Sequence, residues 1–239
     1  MSEWFTRWFG REYLDLYPHR NEAEARAAVA LIERAVDVTG MCRALDLACG
    51  TGRHTRVLCD AVWTVGLDLS AALLDVARAE APHVPYVRGD MRRLPFAARS
   101  FGLVVNLFTS FGYFDTDDEN RAVLDEVQRV IEPGGWFVLD YLNAFQVYAR
   151  LVPEDTRRVG PRLVTQRRRI TPDGRYVEKH ISSSDSSQTY LERVRLFEPG
   201  DLRSLLADAG FTVECAFGNY TGAPLQRGSQ RVILVARAA

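Results

Sequence analysis

The chain is short of the residues that mark a metal protein, a disulfide scaffold or a membrane protein. Its four cysteines (Cys42, Cys49, Cys59, Cys215) fall at no paired ligand spacing, so neither a thiolate cage nor a disulfide framework is indicated. No N-terminal apolar segment resembles a signal peptide and no run is long enough to span a bilayer, which predicts a reduced, cytoplasmic protein without a membrane partner. Charge of one sign is also lacking. Thirty basic residues against 31 acidic ones give a formal charge of -1, which removes the long-range attraction of a dedicated nucleic-acid binder. No internal repeat appears, and the only biased segment is the short serine cluster Ser182 to Ser187. At 239 residues the chain is long enough for a full core and reads as one domain over 1–239.

What is present is organised around Ala44-Leu45-Asp46-Leu47-Ala48-Cys49-Gly50-Thr51-Gly52-Arg53-His54. An apolar strand carries one acid, breaks at two glycines and runs into a helical pattern. The glycines allow a sharp turn and a close approach of backbone to a ligand. A lone carboxylate on a core strand is costly unless something positive or hydrogen-bonding meets it, so Asp46 calls for a cationic ligand. Val62 to Leu67 reads as a second buried strand ending at Asp68, 22 residues after Asp46, where a carboxylate accepts both hydroxyls of a ribose. Tyr86-Val87-Arg88-Gly89-Asp90-Met91 ends a third strand on a third acid. Three acids at successive strand ends line one crevice of an open parallel sheet.

This set, Asp46-Leu-Ala-Cys-Gly50-Thr-Gly52 with Asp68 and Gly89-Asp90-Met91, resembles the class I S-adenosylmethionine-dependent methyltransferases, and the likeness runs from about Asn21 to the end. It departs from a nicotinamide fingerprint, because Thr55 stands where a third glycine would let a helix close on a pyrophosphate. The resemblance implies S-adenosyl-L-methionine as cofactor, with Asp46 toward the methionine ammonium and contacts from Ala48, Gly50, Gly52, Asp68, Leu69, Asp90, Met91 and Leu107. It also implies a Rossmann-like, seven-stranded, mostly parallel sheet with helices on both faces.

The segment 1–20 is rich in aromatics. Trp4, Phe5, Trp8 and Phe9 fall at helical spacing and predict a short amphipathic helix packed on the body. Tyr13, Tyr17, His19 and Arg20 surround Pro18, where a helix stops, and resemble the N-terminal segment that covers the cofactor in small-molecule methyltransferases, a resemblance that implies cofactor contacts from Tyr13 and Tyr17. Arg20 is a candidate clamp for the methionine carboxylate. Asn21 caps a helix to Val38, Ser70 caps Ala71 to Ala81, and Asp117 caps a helix that ends at Glu132-Pro133-Gly134-Gly135. Phe101 to Leu107 and Trp136 to Tyr141 are the fourth and fifth strands, and two closing strands follow the helix Pro199 to Ala209. Near-continuous apolar strands alternating with helices indicate a parallel sheet covered on both faces.

Between about 160 and 197 the pattern turns polar and β-rich, with Thr171-Pro172-Asp173-Gly174 as a turn, and predicts a small antiparallel insertion over the substrate side. Arg167-Arg168-Arg169 alternates across a strand and reads as a solvated edge. After the fourth strand, Asn106-Leu107-Phe108 lacks the Pro-Pro-aromatic sequence of base-directed amino methyltransferases, while Ser110-Phe-Gly-Tyr113 resembles the loop of small-molecule N-methyltransferases. The predicted activity is methyl transfer to a small-molecule acceptor, an amine ahead of a hydroxyl, by a monomer or homodimer. Alignment supplies much of the rate, and Tyr113, His19 and His180 are the candidate proton acceptors. An RNA methyltransferase and a non-catalytic cofactor-binding module are the alternatives.

Overall fold

The computed structural model describes residues 3–16, 22–38 and 40–239. Two short helices, α1 (Trp4–Trp8) and α2 (Arg11–Leu16), precede α3 (Glu22–Ala35). The central layer then alternates: β1 (Ala44–Leu47), α4 (Arg53–Leu58), β2 (Thr64–Asp68), α5 (Ala71–Glu80), β3 (Tyr86–Arg88), β4 (Phe101–Asn106), α6 (Asp117–Val130), β5 (Ile131–Leu142) and α7 (Ala144–Arg150). Four strands make the insertion: β6 (Glu154–Val159), β7 (Arg162–Ile170), β8 (Tyr176–Ser183) and β9 (Thr189–Arg195). The chain closes with α8 (Pro199–Asp208), β10 (Phe211–Phe217) and β11 (Arg231–Ala238).

The seven-stranded sheet has the order β10-β11-β5-β4-β1-β2-β3, parallel except where β11 pairs antiparallel with β5 and β10. Every residue of β1, β2 and β4 is buried, as strands covered on both faces require. Alternation sends Leu45 and Leu47 into the core under α6 and the N-terminal helices, and Ala44, Leu103 and Val105 into the core under α3 and α4. Strand order reverses at β1, between β2 and β4, and there the carboxyl ends open a crevice.

Local signals explain most boundaries. Ser70 caps α5, its hydroxyl accepting from Leu73 N. The cap of α6 is Thr116 rather than Asp117: its hydroxyl and Glu119 form a reciprocal capping box that leaves Asp117 in the first turn. β5 starts at Ile131, five residues before the sequence pattern does, because Pro133-Gly134-Gly135 sits within an irregular start that regains register at Trp136 opposite Leu103.

The antiparallel insertion is present, with a strand more than the sequence indicates. β6 is wholly polar apart from Val159, so hydrophobic alternation could not reveal it. Its presence corrects the reading of the arginine run: β7 lies between β6 and β8, not at an edge. Arg167 pairs with Glu154, Arg168 with Asp155 and Arg169 with Glu178, so the run is neutralised by neighbouring strands.

Aromatic packing docks the N-terminal helices. Trp4, Phe5 and Trp8 are buried, Trp8 packs at a tilt against Tyr190 of β9, and Phe5 meets Phe114 edge-on. A buried tryptophan removes roughly 150–250 Å² from water, about 4–6 kcal/mol at ~25 cal/mol per Å². Polar contacts fix the direction: Trp8 Nε1 donates to Glu192 Oε1 at 2.7 Å, and Trp4 Nε1 donates to Tyr113 O at 3.2 Å. No described helix is long and apolar enough to cross a membrane.

Candidate active site

A cavity of about 640 Å³ opens at the carboxyl ends of β1, β2 and β4, beneath α1 and α2 and against β9. That volume lies within the range of small-molecule sites, ~300–1,000 Å³. One half is backbone and carboxylate, contributed by the turn after β1, the end of β2 and the segment after β3. The other half is aromatic.

In the polar half the chain leaves β1 through Ala48 (φ +60°), Gly50 (φ +59°) and Gly52 (φ +73°), a run of left-handed backbone that tips peptide groups toward the cavity. Asp68 secures this turn. Its Oδ2 accepts from Gly50 N and its Oδ1 from Ser70 N, each at 2.8 Å, so one carboxylate spans two strand ends. Burial pushes its pKa up, against the opposing hydrogen bonds from Ser70 and Gly50. A carboxylate has room for further donors, and Asp68 lines the cavity as a ribose acceptor must. Ala48, Gly50, Leu69, Asp90, Met91 and Leu107 line it too. Burial works against the Asp90 carboxylate, but hydrogen bonds from Arg92 outweigh it and hold its pKa below the usual range. Arg92 also binds Glu119 and Glu3, so this corner of the cavity is tied to the start of α1.

Two residues of the motif have other work. Asp46 is not among the lining residues: it lies buried under the turn, where Thr55 Oγ1 donates to its Oδ2 at 2.6 Å. Burial pushes its pKa up to about 6, the Thr55 hydrogen bond opposing. The hydroxyl that stands in place of a third glycine is therefore the partner of the first acid. Gly52 is also absent from the lining. A Cβ there would sit 2.4 Å from Tyr86 Oη, so this glycine serves the turn and the packing of α4 on β3.

The aromatic half is assembled from distant parts of the chain. Tyr113 lines the cavity, its ring 5.1 Å from Trp4 and 5.7 Å from Phe9, and Phe9 lies 5.0 Å from Tyr13. Glu192 and Val194 of β9 complete the wall. Glu192 was not singled out from the sequence; in a polar strand nothing distinguishes it from its neighbours. His180 does not join the site. Register pairs Lys179 with Glu192 and His180 with Leu191, so His180 shares the opposite face of the insertion with Glu178 and Arg193. It is absent from the cavity wall and its Nε2 lies 3.9 Å from Glu178. Tyr17, His19, Arg20 and the Asn21 cap lie outside the described residues.

A model described as a methyltransferase domain matches residues 44–135, the stretch from β1 through the start of β5. The chain is 30% identical over 197 residues to the demethylmenaquinone methyltransferase of Paenarthrobacter aurescens (strain TC1), covering 80% of this chain and 70% of that one. It is equally 30% identical, over 208 residues, to the dTDP-3-amino-3,6-dideoxy-alpha-D-glucopyranose N,N-dimethyltransferase of Streptomyces fradiae, covering 78% and 79% of the two chains. The chain is a class I S-adenosylmethionine-dependent methyltransferase. Among solved structures, Streptomyces venezuelae DesVI superposes with a TM-score of 0.71 at 25% identity over 95% of this chain and 97% of its own. The S-adenosylmethionine-bound amino pentose methyltransferase CalS10 of Micromonospora echinaspora gives 0.71 at 25% over 96% and 97%. For a methyltransferase of this class, S-adenosylmethionine is the cofactor, and the left-handed turn, the Asp68 acceptor and the volume of the cavity suit it.

Proposed function

We propose that this methyltransferase alkylates the nitrogen of a small-molecule amine, with the whole chain acting as one catalytic unit. The observation that carries this reading is the composition of the acceptor-side wall. Aromatic faces of Trp4, Phe9, Tyr13 and Tyr113 share the cavity wall with the Glu192 carboxylate, and both kinds of group attract a nitrogen that carries or develops positive charge. A quinol can donate its O–H to Glu192, but it develops no positive charge in the transfer for the rings and the carboxylate to stabilise. The Glu192 carboxylate is oriented by Trp8 Nε1 and by Lys179, the chain's one lysine, which leaves lone pairs for a further donor. Pairing of Arg167, Arg168 and Arg169 with acids supports a small acceptor over a nucleic acid.

S-adenosylmethionine, when bound, supplies an electrophilic methyl on a sulfonium, and in-line displacement by a neutral amine leaves S-adenosylhomocysteine. The residues of this chain orient and desolvate. Asp68 and the β1 turn hold the ribose and fix the cofactor end; Tyr113 and Glu192 accept hydrogen bonds from the amine N–H groups, which aims the lone pair, and α1 and α2 keep water out. The proton lost from nitrogen after transfer passes to the Glu192 carboxylate or to solvent. Relatives of both kinds, amino-sugar and quinone methyltransferases, define the test. Purified enzyme is screened with nucleotide-linked amino sugars, simple amines, phenols and quinols, with release of S-adenosylhomocysteine as readout. Turnover of amines, reduced about tenfold in kcat/KM by Glu192→Gln, is the expected result; turnover of quinols or phenols alone refutes nitrogen as the acceptor atom.

A further inference from the structure

Behind the cavity, away from the cofactor motif, lies a buried polar cluster that the transfer reaction does not itself call for. Asp140 on β5 is fully buried, and Arg231 on β11 gives its Nε to Asp140 Oδ1. Tyr220, in the connection between β10 and β11, donates to Oδ2 at 2.6 Å. Burying such a pair costs desolvation that an apolar pair would not, so the cluster is a poor device for stability alone.

Its remaining bonds converge on two residues. Phe108 N donates to Asp140 Oδ2 at 2.8 Å, Thr109 N donates to Asp140 O at 2.9 Å, and Arg231 Nη2 reaches Thr109 Oγ1 at 3.2 Å. Phe108 and Thr109 both hold left-handed backbone, at φ +60° and +64°. An aromatic and a β-branched residue adopt that conformation only when the surroundings impose it, and such positions concentrate at functional sites. Leu107 and Phe108 line the cavity, and two guanidinium groups lie over the Phe108 ring, Arg53 at 4.4 Å and Arg231 at 5.2 Å from its centroid. Asp140, Arg231 and Tyr220 themselves do not touch the cavity.

We infer that Asp140, Arg231 and Tyr220 are positioning residues: they clamp Phe108 and Thr109 in left-handed backbone and so set the wall that Leu107 and Phe108 present to the cofactor. The inference concerns cofactor binding and is independent of the acceptor. It is tested by calorimetric titration of S-adenosylhomocysteine into the whole enzyme, with a melting curve for each variant. Arg231→Met is expected to weaken binding tenfold or more, and Tyr220→Phe, which removes a single hydroxyl and keeps the ion pair, three- to tenfold. Asparagine tolerates left-handed backbone and keeps a side-chain acceptor, so Thr109→Asn placed in the Tyr220→Phe background is expected to restore affinity to within twofold of the original. A purely structural cluster would lose melting temperature without that recovery. Affinity unchanged in Tyr220→Phe, or a loss that Thr109→Asn fails to reverse, overturns the inference, and this pair of variants decides it even where Arg231→Met does not fold.

Discussion

The two halves of the cavity are built in opposite ways. The cofactor half comes mainly from one run of chain, Ala48 to Met91, with Leu107 and Phe108 beside it, and presents chiefly backbone and carboxylates. The acceptor half joins α1, the loop after β4 and β9, and presents rings and the Glu192 carboxylate, which the chain separates by up to 188 residues (Trp4 to Glu192). A half made of consecutive turns keeps its geometry as long as those turns form. A half made by docking exists only when a helix and an insertion both pack on the body.

The sharpest break in the comparison is Asp68→Ala. It removes the acceptor proposed for the ribose and frees Gly50 N and Ser70 N, so the turn loses its clasp and the cofactor its proposed partner together. Charge-assisted hydrogen bonds are worth about 1.5–3 kcal/mol each, and S-adenosylhomocysteine affinity measured by calorimetry is expected to fall at least about a hundredfold. Retained affinity would mean that the glycine turn alone holds the cofactor. Trp4→Ala is the matching break in the other half. It removes the ring that meets Phe5, Phe9 and Tyr113 and the bond to Tyr113 O, and urea unfolding is expected to show a loss of about 3 kcal/mol. Cofactor affinity is expected to stay within threefold; a fall as large as that of Asp68→Ala would show that the halves are one unit.

Legibility from the sequence divides along the same line. The β1 turn, the Asp68 and Asp90 strand ends and the Ser70 cap could be read because each is a local pattern, a strand ending in an acid or a hydroxyl ahead of a helix. Glu192 could not, since its place in the wall depends on how β9 registers with β8 and docks under Trp8. His180 shows the same limit, because a strand pattern assigns residues to two faces without saying which face meets the cavity. Asp140 is the instructive omission. It stands as an acid in an apolar strand, the signal that drew attention to Asp46, and the same reasoning applied to Trp136-Phe-Val-Leu-Asp140-Tyr would have predicted a buried partner such as Arg231.

Asp46→Asn sharpens the comparison within the cofactor half, between what touches ligand and what lies beneath. Its folded pKa of about 6 exceeds the ordinary 3.8, so the folded state holds the proton more tightly than the unfolded chain. Stability contributed by this site is complete below pH ~4, declines as pH rises to about 6 and is absent above. Asparagine keeps an acceptor for Thr55 and cannot ionise. Denaturant unfolding is expected to find the variant about 2 kcal/mol more stable than the original at pH 7.5, with the gap closing near pH 4. The negative charge under the turn favours a bound ammonium, so affinity for S-adenosylhomocysteine is expected to drop a few-fold while stability rises, the usual exchange at a functional site.

The smallest expected effect falls on the residue that marks where the acceptor half ends. His180 lies one strand from Glu192 yet on the outer face, with its side chain 42% exposed and Glu178 its nearest acid. A surface substitution of this kind changes stability by less than about 0.5 kcal/mol. His180→Ala is therefore expected to leave unfolding, cofactor affinity and the pH profile of turnover unchanged, whereas Tyr113→Phe, on the inner wall, is expected to alter acceptor kcat/KM alone. A pH profile that shifts in His180→Ala would place a titrating group on the far face in contact with the reaction, and the wall would then have to extend through the insertion rather than stop at Glu192 and Val194.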